Sequence, residues 1–176
     1  MIERIAPSKG SQYKQTQVFG YKGPGEKVIE EDIISSLKYD QTGQHLALGD
    51  HAGRIIIFKE RNSKKKEENL EYLTEFQSHT KEFDPLRSME IEETITGISW
   101  MPQQGKYLKM LTTNPRTIKV WKVFEKATKK IVKTAGRELN MPKLQTTDSC
   151  LTSKLQYSFP VKHHTSINSI NPSYNN

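Results

Sequence analysis

A three-strand pattern that occurs twice, at an offset of 61 to 63 residues, limits the folds open to this chain more than any other feature. From Ile33 the sequence reads as strand (Ile33 to Tyr39), turn (Asp40-Gln41-Thr42-Gly43), strand (His45 to Leu48), turn (Gly49 to Gly53) and strand (Arg54 to Lys59). Asp and Gly serve the turns because they tolerate left-handed backbone angles or bond their own backbone. The layout returns as Ile95 to Trp100, Tyr107 to Leu111 and Thr117 to Val123, with Leu37 matching Ile98, Tyr39 Trp100, Leu46 Leu108, Arg54 Arg116, and Phe58 Trp121. Ile167-Asn168-Ser169-Ile170 echoes Ile34-Ser35-Ser36-Leu37 and Ile95-Thr96-Gly97-Ile98, opening a third copy.

Leu70 to Phe76 reads as a fourth strand, followed by Gln77-Ser78-His79 before the next copy. Four short antiparallel strands per unit, a His between units and an aromatic in the third strand mark a propeller blade. The offset exceeds the roughly 40 to 45 residues of a plain WD repeat. Loops at Arg61 to Asn69 and Thr80 to Met89 absorb the surplus. The expected fold is therefore all-β, an incomplete WD-repeat β-propeller of about two blades and the first strand of a third. A shared all-β grammar could mimic such a repeat, but the matched Arg and the aromatic third strand argue against that. The expected divisions are a flexible tail over 1–26, a first blade over 27–79, a second over 80–124, a basic, divergent arm or insertion over 125–162, and the truncated start of a third blade over 163–176. An open stack of this kind would expose an apolar face and an unpaired strand edge.

Charge bears on function through its position. The chain has 27 Lys/Arg against 20 Asp/Glu, but residues 27–124 hold 15 of each; residues 1–26 hold four against two, and 125–176 hold eight against three. A module gripping phosphates would carry its excess on the folded contact face. The neutral middle opposes that reading, and Lys64-Lys65-Lys66, followed by Glu67-Glu68, suits a solvated loop. The apolar runs are far short of the roughly 20 residues that a membrane span needs. The opening residues hold no apolar segment for a signal peptide, and Cys150 is the single cysteine, so a cytoplasmic location is expected, with the nucleus as a second compartment.

Chemistry-bearing motifs are sparse. His163 and His164 are adjacent and would point to opposite faces of a strand, which does not suit one metal. The Gly20 to Gly25 stretch lacks the Lys-Ser/Thr of a phosphate loop. No metal, cofactor or catalytic residue is expected. Acidic triplets do stand before both copies, Glu30-Glu31-Asp32 and Glu90, Glu92, Glu93. Equivalent loops of successive blades emerge on one face, so the two clusters would form one acidic rim. Such a rim repels itself unless a cationic partner compensates it; the plainer reading is two solvated loops.

The chain resembles the B-family (55-kilodalton class) regulatory subunits of serine/threonine protein phosphatase type 2A. The resemblance rests on Asp32-Ile33-Ile34-Ser35, on Leu46 to Phe58, on Phe76-Gln77-Ser78-His79 and on Glu82 to Glu93. Further matches are Trp100, Thr117-Ile118-Lys119 and Trp121-Lys122. It covers residues 27–124 and resumes at His164 to Ile170, whereas 125–162 match poorly. It implies a seven-bladed propeller, itself no enzyme, that joins a scaffold subunit and a metal-containing catalytic subunit and presents phosphoserine or phosphothreonine substrates with basic segments. It also implies substrate contacts at Glu30, His51, Glu90 and Glu92, with Lys129, Lys130 and Arg137 of the arm toward the scaffold. His51 stands where the family often carries Lys. Two rival functions are a generic WD-repeat adaptor without a phosphatase link and a small basic nucleic-acid-binding protein.

Overall fold

The computed structural model describes residues 15, 17–20, 23–61, 70–85, 87–103, 105–132, 143–160 and 165–173. A 3-10 turn at Glu30–Asp32 leads into β1 (Ile34–Tyr39), β2 (His45–Asp50), β3 (Arg54–Glu60) and β4 (Leu70–Gln77), which pair antiparallel in the order β1-β2-β3-β4. Asp40 shapes the first turn. One carboxylate oxygen accepts from the His45 backbone N–H at 3.2 Å; the other accepts from the Thr42 hydroxyl and meets His45 Nδ1, both at 2.9 Å.

The stretch expected as a loop over 80–89 instead carries a small hairpin, β5 (Glu82–Asp84) and β6 (Met89–Ile91). The second sheet follows, with β7 (Gly97–Trp100), β8 (Tyr107–Thr113), β9 (Thr117–Val132) and β10 (Lys143–Pro160) in the order β10-β9-β8-β7. Its first three strands lie where the repeat predicts, but β9 runs on to Val132. β10 pairs with β9 from Val132↔Lys143 to Thr117↔Pro160. Its C-terminal part therefore supplies the fourth strand of the sheet, and the rest forms a two-stranded ribbon. Lys129 and Lys130 lie on the ribbon backbone, opposite Thr146 and Gln145; Arg137, His163, His164 and the Lys64 to Lys66 run fall outside the described residues.

The two sheets share one core. Ala47, Ile55 and Ile57 of the first meet Ile95, Ile98, Trp100, Met110, Trp121 and Val123 of the second, and the Phe76 and Trp121 rings lie 4.8 Å apart. Gly49 is the point of closest approach, since a Cβ there would sit 2.5 Å from Ile95 Cγ2. Trp100 Nε1 donates to Lys38 O across the sheets at 2.9 Å. Each of the larger side chains adds roughly 1.5–3 kcal/mol on burial. None of the sheets closes on itself. The end faces stay open, with Ile34, Leu37 and Tyr39 exposed at one and Tyr157 and Phe159 at the other.

Two further segments meet this stack. The Gln17 side chain bonds Leu70 both ways, donating to its carbonyl at 2.7 Å and accepting from its N–H at 3.2 Å, and the Phe19 ring lies 4.4 Å from Phe58. These contacts place part of the expected tail on the first sheet. Residues 165–173 form no strand, but Ile167 N–H donates to Pro115 O at 3.0 Å and Ile170 packs on Gly97.

Candidate functional site

The turn between β2 and β3 is the hub around which the acidic segments gather. Gly53, at φ +77°, adopts a left-handed backbone, and a Cβ there would lie 2.3 Å from His79 O. Only glycine fits such a position without strain. Its carbonyl in turn accepts from Ser78 N–H and His79 N–H at 2.9 and 3.1 Å.

On one side of the hub stands the Glu30–Asp32 turn. His51 N–H donates to Ile33 O at 3.0 Å and Ala52 N–H to Glu31 O at 3.2 Å. On the other side, Thr94 Oγ1 donates to His51 O at 3.3 Å, and Asn114 Nδ2 donates to Glu92 O at 3.0 Å. The structure thus brings the Glu30–Asp32 turn, the His51 turn and the Glu92–Thr94 segment together. Glu30 and Glu92 are exposed and His51 is half-buried. Glu90 is exposed on β6, opposite Phe83 of β5, on the hairpin rather than at the hub.

The acids at the hub have different duties. Arg54 donates its Nε to Asp50 Oδ2 at 2.7 Å and an Nη to Asp32 Oδ1 at 2.8 Å, while its backbone N–H reaches Asp50 Oδ1 at 2.9 Å. The Asp32 and Asp50 carboxylates hold the guanidinium above its ordinary pKa. Two of the carboxylates near the hub are therefore paired internally, sharing one guanidinium. Glu93 is nearly covered: one of its oxygens lies 3.8 Å from Lys81 Nζ, and the other is buried without a hydrogen-bond partner among the described residues. Glu30, Glu31, Glu90 and Glu92 remain exposed.

A buried polar chain fastens the hub to the second sheet. His79 is 1 % exposed; its Nε2 donates to Thr117 O at 3.2 Å, so its Nδ1 must accept, and the Ser78 hydroxyl at 3.1 Å supplies that proton. Ser78 Oγ then accepts from Thr112 Oγ1 at 2.8 Å. Burial, reinforced by the Lys119 ammonium, pushes the His79 pKa down to about 4, so the ring is neutral near pH 7.

Sequence reasoning missed two features of this site. The β5–β6 hairpin sets exposed Phe83 and Met89 beside Glu90, putting apolar surface within the acidic patch; the alternation in Glu82-Phe83-Asp84 was the available signal. Lys119 reaches back to Ser78 O at 3.1 Å and lies 4.0 Å from Glu82. Among the described residues no group of His, Cys, Asp and Glu is placed to hold a metal, and no helix is long and apolar enough to cross a membrane.

An acidic patch on a two-sheet β stack is compatible with many binding roles, and sequence comparison narrows them. The chain is 38% identical over 174 residues to a B-type regulatory subunit of protein phosphatase PP2A from Schizosaccharomyces pombe, covering 90% of this chain and 37% of the relative. The chain is a homologue of the protein phosphatase 2A B-family regulatory subunits. The corresponding B-type regulatory protein of Candida tropicalis is 40% identical over 170 residues, covering 88% of this chain and 33% of the relative. The alpha isoform of the 55 kDa B-type regulatory subunit of Arabidopsis thaliana is 44% identical over 140 residues, covering 71% and 27% respectively. No family model matches the chain. It spans 27 to 37% of the length of these three curated relatives.

Proposed function

We propose that the chain is a propeller portion of a protein phosphatase 2A regulatory subunit, non-catalytic in itself. In this reading the two four-stranded sheets are successive WD-type blades, and the basic 125–162 stretch is the arm toward the scaffold subunit, with Lys129, Lys130 and Arg137 as its contact residues. The exposed carboxylates Glu30, Glu90 and Glu92, with His51 between the clusters, receive basic segments of phosphoserine or phosphothreonine substrates and pass them to the catalytic subunit. The cytoplasm, with the nucleus, is the compartment this role implies.

One observation carries the proposal: in a homologue of named regulatory subunits, the hub around His51 draws together two acidic segments some 60 residues apart. Like charges so gathered favour a cationic partner and act more on association rate and specificity than on raw affinity. Two experiments test it. Affinity capture of the tagged chain should recover scaffold and catalytic subunits; recovery of neither overturns the phosphatase link. Replacing Glu90 and Glu92 with Lys should abolish the salt-sensitive capture of a basic phosphopeptide, and unchanged capture overturns the acidic-rim role.

A further inference from the structure

Where the two sheets face each other, the inward positions change from apolar to polar at the end away from the His51 turn. Directly paired residues share a face, and every second residue of a strand points the same way. In β2 the inward positions run from Ala47 to His45, and in β3 from Ile55 and Ile57 to Lys59, which stands opposite His45. In the second sheet they run from Met110 through Leu108 to Lys106, just ahead of β8, and from Val123 to Glu125 in β9. In β10 they run from Leu151, opposite Glu125, to Ser149.

Between these polar ends lies a cavity of about 700 Å³, within the roughly 300–1,000 Å³ of small-molecule sites. Leu73, Leu108, Val123 and Leu151, which pack on the shared core, give it an apolar floor, and the five polar side chains form its rim. It belongs to the interface between the sheets and to neither end face. The rim has a fixed member: His45 is 8 % exposed, and the Asp40 carboxylate, also buried, accepts from its Nδ1 at 2.9 Å. That bond orients the ring and leaves Nε2, which has no partner among the described residues, for the cavity that the ring lines.

The cations of the rim are uncommitted. No ion pair among the described residues includes Lys59 or Lys106. Glu71, directly opposite Lys59, lies 3.9 Å from Arg61 instead, and the Glu125 carboxylate accepts from the Ser149 hydroxyl.

We infer that this cavity is a binding site for a small organic carboxylate with an apolar body and a hydroxyl group. The carboxylate meets the Lys59 and Lys106 ammonium groups, and the body covers the leucine and valine floor. The hydroxyl bonds His45 Nε2; because a hydroxyl both donates and accepts, it suits the neutral and the protonated ring alike. The site stands at the opposite ends of β2 and β3 from the acidic hub and prefers the opposite charge.

Calorimetric titration of the full chain with para-hydroxyphenylacetate tests the inference, with phenylacetate and tyramine as the paired controls. Para-hydroxyphenylacetate should bind with a Kd below about 1 mM, within reach of a ligand of this size. Phenylacetate, which lacks the hydroxyl, should bind about threefold or more weakly, and tyramine, a cation on the same ring, weaker still. The K59Q/K106Q double variant should lose about tenfold or more in affinity for para-hydroxyphenylacetate. Both lysines are exposed, so the variant should melt with the parent; if it does not, the three-ligand ranking on the parent decides alone. No binding of para-hydroxyphenylacetate by the parent, unchanged affinity in the folded double variant, or tyramine binding as tightly would overturn the site. Phenylacetate binding as tightly as para-hydroxyphenylacetate would overturn the part given to His45.

Discussion

The turns that open the third strand of each sheet do the same job with different chemistry. In the first sheet Asp50 Oδ1 accepts the Arg54 backbone N–H at 2.9 Å. In the second, Asn114 Oδ1 accepts the backbone N–H groups of Arg116 at 3.0 Å and Thr117 at 2.6 Å. The charged version accepts from its arginine side chain, which in turn donates to a second acid, Asp32. The neutral version keeps an amide N–H, and it spends that donor on Glu92 O. A carboxylate at the second turn would face that carbonyl with no proton to give. The repeat therefore conserves the geometry of the turn, while the side chains are fitted to the acidic segment lying against each.

The largest test of this comparison lies in the backbone. The first turn closes on Gly53 at φ +77°, against His79 O, whereas the second passes through Asn114-Pro115-Arg116 and needs no glycine. Gly53→Ala must relieve a 2.3 Å contact as well as adopt a strained angle. A loss on the order of 4 kcal/mol or more is expected, or failure to fold. Urea unfolding followed by tryptophan fluorescence measures it, and a loss below about 1 kcal/mol would mean that the turn relaxes freely.

Next in size is the buried link between the sheets. His79 is neutral in the fold, with its pKa near 4, while an unfolded histidine takes a proton near 6.5. Its contribution is therefore fully present above pH 6.5 and is lost as pH falls from there toward 4, on the order of 3 kcal/mol in all. Stability measured against pH should slope downward through that window, and His79→Gln should flatten the slope. A slope that survives the substitution would assign the effect to another group.

How far such features were legible in advance differs between the sheets. Seven strands, β1 to β4 and β7 to β9, followed from turn residues and apolar alternation, because those signals are local. β10 did not: Lys143 to Pro160 is rich in Lys, Thr and Ser and reads as a polar arm, and its strand character comes from pairing with β9. The hairpin β5–β6 was hidden for a different reason, its strands being three residues each, too short for alternation to stand out. The acidic clusters were visible as runs of Glu, and Arg54 as a residue suited to pairing with an acid. That the clusters would share one rim followed from the repeat, but the His51 turn as the hub bonded to both was not visible, since it depends on contacts such as Ala52 N–H to Glu31 O, which leave no mark in side-chain identity.

Swapping the turn chemistry gives the third effect. Asn114→Asp keeps the acceptor but loses the donor to Glu92 O, and it sets a negative charge in a fully buried site. A cost of about 2 kcal/mol is expected. A neutral outcome would show that Arg116 compensates the new carboxylate as Arg54 does Asp50.

The reverse swap, Asp50→Asn, should cost least. It keeps the acceptor for the Arg54 backbone N–H and removes the charge that binds the Arg54 side chain, which retains Asp32 at 2.8 Å. The Arg54 and Asp32 side chains are 36 and 39 % exposed, so solvent screens that remaining pair. Asp50 is buried, and its bond to Arg54 is the better protected of the two. A loss of about 1 kcal/mol follows. The effect should persist in molar salt, because a buried pair is screened little. Salt erasing the whole loss would place the stabilisation in the exposed Asp32 contact, and the two turns would then differ in surface charge alone.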